Sequence, residues 1–173
     1  MHLLPAAAAA VALIATPAAA DSDAIGEIRT EIDGVSVVWK TLRPEEDEAG
    51  RGTNYRDFGF VWQVGLLGRP AGAPDDEGGR LAISFSGMDG EIEATEALIV
   101  LFDADSGRSF YSADANAGLV AVERLDLNTG KAFVEGRFAA SLCFRDGLFS
   151  APDPEDCREI SGRFITRLPL DES

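Results

Sequence analysis

Apolar residues recur at every second position in several segments of this chain, and no segment sustains a helical period. Successive side chains of a β-strand point to opposite faces, so such alternation marks strands that lay one face against a core. The clearest run is Phe58, Phe60, Trp62, Val64 and Leu66, interleaved with Gly59, Val61, Gln63 and Gly65, which reads as one strand with an aromatic face. Val35, Val37 and Trp39 mark another strand, as do Leu81, Ile83 and Phe85. Ala97–Phe102 is apolar on both faces, as a central buried strand would be. A short helix over Glu91–Leu98 is the one competing element.

The punctuation between these runs sets the topology. Asp33-Gly34 stands between two strand-like segments, the pair a two-residue hairpin turn prefers because both central residues take positive φ. Three later turns share a spelling, Asp103-Ala104-Asp105-Ser106-Gly107, Asp114-Ala115-Asn116-Ala117-Gly118 and Asp126-Leu127-Asn128-Thr129-Gly130, and they start 11 and then 12 residues apart. That spacing leaves room for short antiparallel strands and none for crossover helices. Val134–Leu142 and Ile160–Leu168 share the pattern aliphatic, any, Gly-Arg-Phe, three residues, Leu, which suits neighbouring or structurally equivalent strands. The expected fold is a single all-β domain, an antiparallel meander of about eight or nine strands, closed as a barrel or packed as a sandwich.

The first 20 residues read as an export signal. Leu3–Ala20 is alanine-rich and apolar, ends in Ala18-Ala19-Ala20, and precedes the polar Asp21-Ser22-Asp23, as a signal peptidase requires. It is too short and too weakly apolar for a retained span, and no later stretch is long enough to cross a bilayer as a helix. Cleavage after Ala20 leaves 173 − 20 = 153 residues for one domain, 21–173, directed to the periplasm or the medium. In that compartment Cys143 and Cys157 are expected to pair. Their spacing is not Cys-x-x-Cys, so the bond reads as structural and not redox-active. The segment between them, with Gly147, Pro152 and Pro154, reads as a loop.

The residue inventory narrows the chemistry. The single histidine is His2, so the exported domain holds no histidine to serve as the base of a Ser or Cys hydrolase. Lys40 and Lys131 follow Val37 and Asn128 by three residues, which excludes a Ser-x-x-Lys dyad, and no nucleotide-binding glycine motif or zinc motif occurs. No catalytic residue or resident cofactor is assigned. Carboxylate chemistry remains, because a glycosidase needs two acids flanking a cleft, but 30 acidic residues do not single out a pair. Calcium is the one metal the chain suggests, at Asp103 and Asp105. Hairpin-turn chemistry accounts for the same letters, since Gly107 and Arg108 stand where a calcium loop needs a ligand and a glycine.

A net charge of −15 disfavours nucleic acid and anionic membranes and leaves a cationic partner or plain solubility. The connections Arg43–Arg56 and Gly68–Gly79 read as long surface loops, where binding function concentrates. Tyr55, Phe58, Phe60 and Trp62 are therefore the candidate ligand-binding residues, at a barrel mouth or beside these loops, unless they fill the core. The function expected is that of an exported, non-enzymatic binding or accessory protein, with a small molecule or another protein as partner. A carboxylate-based glycan hydrolase and a calcium-stabilised envelope module are the alternatives.

Overall fold

The computed structural model describes residues 24–44, 52–73, 79–103, 109–113, 119–128, 130 and 132–170. The export segment 1–20 and Asp105 lie outside them. Ten strands occur among the described residues: β1 (Ala24–Ile32), β2 (Val35–Leu42), β3 (Asn54–Asp57), β4 (Val61–Pro70), β5 (Arg80–Met88), β6 (Ala94–Phe102), β7 (Phe110–Ser112), β8 (Val120–Asp126), β9 (Phe133–Arg145) and β10 (Asp153–Arg167). Every strand pairing is antiparallel.

The sheet closes on itself. Pairing runs β1–β2–β4–β5–β6–β7–β9–β10, and β10 pairs back onto β1 over Gly26↔Thr166 to Ile32↔Ile160. On β4, β2 holds Gly68–Pro70 and β3 holds Trp62–Gly65, so these two strands share one position in the wall. On β9, β7 holds Cys143–Arg145 and β8 holds Phe133–Phe138 in the same way. Ten strands thus fill eight positions of a barrel. A sandwich is excluded, because two separate sheets would leave β10 without one of its two partners.

An eight-position barrel is just wide enough for side chains to fill. Here Trp62, Phe85, Phe164 and Phe138 run through it, with ring centroids 6.1, 5.7 and 6.4 Å apart in succession. Ile28, Val64, Leu66, Leu81, Ile83, Ile99, Val134 and Leu142 pack round them and are fully buried. The few buried polar side chains are hydrogen-bonded. Thr41 and Thr166 share a hydroxyl hydrogen bond of 2.7 Å, and Trp39 Nε1 donates to Thr30 Oγ1 at 3.0 Å. The outer face carries Glu27, Arg29, Glu123, Glu135, Arg137 and Arg163 in ion pairs. That polarity is the reverse of a lipid-facing barrel, which needs an apolar outer band.

Local expectations fare unevenly. Asp33 (φ 49°) and Gly34 (φ 81°) form the two-residue hairpin turn between β1 and β2. The Gly-Arg-Phe strands are neighbours, β9 and β10, with Arg137 opposite Arg163. Over Glu91–Leu98 no helix forms: residues 91–93 are irregular after the turn at 89–90, and β6 begins at Ala94. The aromatic strand is shorter than its alternation suggests. It starts at Val61, because the chain turns at Gly59 (φ 82°), whose N–H bonds the Asp57 carboxylate at 2.7 Å. The two long loops are also shorter than expected, since Asn54–Asp57 is recruited as β3 and Gly68–Pro70 belongs to β4.

The disulfide forms between Cys143 and Cys157, which face each other across β9 and β10. The segment between them is only partly loop. Phe144 and Arg145 continue β9, and Pro154 lies inside β10, at a bulge where the register jumps from Asp153↔Phe144 to Cys157↔Cys143. Proline is tolerated there because a bulged residue owes no N–H to the ladder.

Candidate functional site

The four aromatic candidates separate into two pairs. Tyr55 and Trp62 are only 3% and 2% exposed, whereas Phe58 and Phe60 are 55% and 70% exposed at the β3–β4 turn. The buried pair are struts. The Tyr55 hydroxyl donates to the Leu127 carbonyl at 3.1 Å, and burial, together with the nearby Asp57 charge, raises its pKa so that it stays protonated. Trp62 Nε1 donates to the carbonyls of Met88 (2.9 Å) and Glu91 (3.2 Å), fastening the β5–β6 turn to β4.

That fastening assembles a surface. Met88 sits opposite Val61 in the ladder, and the Asp89 N–H donates to the Phe60 carbonyl at 3.1 Å, so the β3–β4 and β5–β6 turns stand side by side. Phe58, Phe60, Met88 and Ile92 all project from this end of the barrel into solvent. Asp57, Asp89, Glu91 and Glu93 are exposed beside them. Four large apolar side chains thus stand together in an exposed patch, and such patches mark candidate interaction surfaces. Met88 and Ile92 carried no signal of their own in the sequence. The available clue was that Asp-Phe-Gly-Phe and Met-Asp-Gly-Glu-Ile-Glu are both turns in which apolar residues alternate with acids.

At the opposite end, the strand termini bring together a polar cluster. Arg158 lies with Cζ 4.1 Å from the Tyr111 ring centroid and donates to the Tyr111 hydroxyl (3.2 Å) and to both Asp103 oxygens (3.4 and 3.5 Å). The Tyr111 hydroxyl in turn donates to Asp156, within the β10 bulge, at 3.2 Å. Burial works against the Arg158 charge, but the Tyr111 hydrogen bond and the Asp103 and Asp33 carboxylates outweigh it and raise the pKa. Two acids do converge here, yet a guanidinium and a phenol engage them, which ties β6, β7 and β10 together. Asp103, the described half of the calcium pair, is thus committed to Arg158. Among the described residues no group of three or more His, Cys, Asp or Glu is placed to hold a metal.

Among the described residues no helix is long and apolar enough to cross a membrane. No family model matches the chain, and no curated protein or solved structure matches it.

Proposed function

We propose that this is an exported binding or accessory module that acts by contact through the Phe58–Phe60–Met88–Ile92 tip, on a protein partner whose own contact is apolar and edged with basic residues. The observation that carries this is the tip itself: four exposed apolar side chains, held by a buried indole that bonds two turn carbonyls, with four carboxylates beside them. Apolar contact supplies the affinity and the carboxylates select the sign of the partner. The filled interior supports surface contact over enclosure of a ligand. The Ala18-Ala19-Ala20 segment supports export, and the Cys143–Cys157 bond is compatible with an oxidising compartment.

The test is photo-crosslinking from position 60 in the producing cell, with position 35 as control, since Val35 is equally open to solvent at the other end of the barrel. A discrete adduct from position 60 alone, lost in Met88→Ser with Ile92→Ser and weakened by salt, is expected. Adducts of equal yield from both positions, or none from position 60, would overturn the proposal.

A further inference from the structure

A concavity lined by none of the tip residues lies where β1 and β9 begin and β2 and β10 end. It consists of a groove of about 590 Å³ with Arg43, Ala132, Leu168, Pro169 and Leu170 on its walls, continuous through Ile25, Phe133 and Arg167 with a second of about 510 Å³ that reaches Lys40. Its walls are set by backbone. The register shift between Ala24 and Gly26 frees Ile25 from the β1 ladder. Hydrogen bonds from Leu168 N–H to the Ala132 carbonyl (2.8 Å) and from Tyr55 N–H to the Pro169 carbonyl (3.0 Å) hold the far wall. Such a volume is ordinary for a small-molecule site.

The charges are unusual for this protein. Acids outnumber bases 30 to 15, and Arg29, Lys40, Arg124, Arg137, Arg158 and Arg163 each stand against a carboxylate. Among the described residues Arg43, Arg80 and Arg167 have no such partner, and two of these three line the same groove. Lys40 is neutralised by Glu27 at 3.3 Å. The overall charge of −15 repels anions at a distance, and screening over about 8 Å at physiological salt weakens that repulsion. Two arginines in one groove with Ile25, Phe133 and Leu170 fit a carboxylate that carries a hydrocarbon tail.

We infer that this groove binds a monomeric anionic amphiphile, a free fatty acid being the simplest, with its head at Arg43 and Arg167 and its tail along Ile25, Phe133, Leu168 and Leu170. The site is separate from the Phe58–Phe60 tip and does not depend on it.

Isothermal titration of the disulfide-intact protein with laurate, below its micelle concentration, tests the inference. Saturable binding is expected, at least tenfold weaker for dodecanol and at least tenfold weaker for laurate in R43Q/R167Q, and unchanged in F58S/F60S. Both arginines are exposed, so the double variant keeps the fold, which its unfolding midpoint verifies. Absence of laurate binding, equal affinity in R43Q/R167Q, or loss in F58S/F60S alone would each sink the assignment. So would binding to vesicles of anionic phospholipid without binding to free laurate, which would make the surface a membrane contact.

Discussion

The ring of Phe164 on β10 occupies the space above Gly136 on β9, where an added Cβ would come within 2.6 Å of Phe164 Cζ. The relationship is reciprocal: Phe138 covers Gly162, where a Cβ would lie 3.0 Å from the ring. The two Gly-Arg-Phe segments therefore interlock, each glycine admitting the other strand's phenylalanine across the ladder.

Gly136→Ala and Gly162→Ala are each expected to destabilise the fold by about 1–3 kcal/mol, because the new methyl group also meets backbone, the Ala121 carbonyl in one case and that of Arg29 in the other. Urea unfolding measures this, and Ala121→Gly, on an outward-facing position, serves as a control.

Opening the Cys143–Cys157 bond, by reductant or by Cys143→Ala with Cys157→Ala, is expected to remove about 3 kcal/mol, the chain-entropy value for a loop of about 15 residues. The change is read as a lower urea midpoint. An unchanged midpoint would show that the Tyr111–Asp156 and Arg145–Ser150 contacts alone hold this end.

Trp62→Phe retains most of the ring but leaves the Met88 and Glu91 carbonyls without their indole donor. A loss of about 1–3 kcal/mol is expected. Amide exchange should quicken first at Glu91, whose N–H bonds the Met88 carbonyl in the same turn. Uniform quickening across the barrel would instead mean that Trp62 acts only as core volume.

The Glu27 carboxyl is held below its ordinary pKa by the hydrogen bond from Arg29, and further by that from Lys40, against the opposing effect of burial. A group with a depressed folded pKa stabilises the fold above its unfolded pKa and loses that contribution as pH falls through the folded value. Glu27→Gln should therefore cost at most about 1 kcal/mol near pH 7, as expected of a surface ion pair, and the gap to the parent should close below about pH 4. Unfolding midpoints at pH 7 and pH 3.5 provide the comparison.

The elements legible in the sequence are those whose cause is local. Asp33-Gly34 turns because an Asp-Gly pair between two strands accepts the positive φ that a two-residue hairpin demands. The alternation of Leu81, Ile83 and Phe85 reports a buried face directly. Local letters misled where a neighbour decided the outcome. Phe58 and Phe60 continue the rhythm of Trp62, but the Asp57 carboxylate and Gly59 turn the chain before it, leaving the two phenylalanines in water. Pro154 reads as loop until Cys143 opposite Cys157 draws the strand past it through a bulge.

By itself the sequence determined an all-β chain, its main hairpin turn and the cysteine pair, since period-two patterning, positive-φ residues and spacing act over a few residues. Only the tertiary structure decided that the sheet closes, by bringing Ile28 opposite Phe164 across more than a hundred residues. It also decided that Phe58 and Phe60 join Met88 and Ile92 at a tip, and that Arg43 and Arg167 line one groove. Such meetings depend on strand order and register, which are set by the burial of the whole core and not by any single stretch of residues.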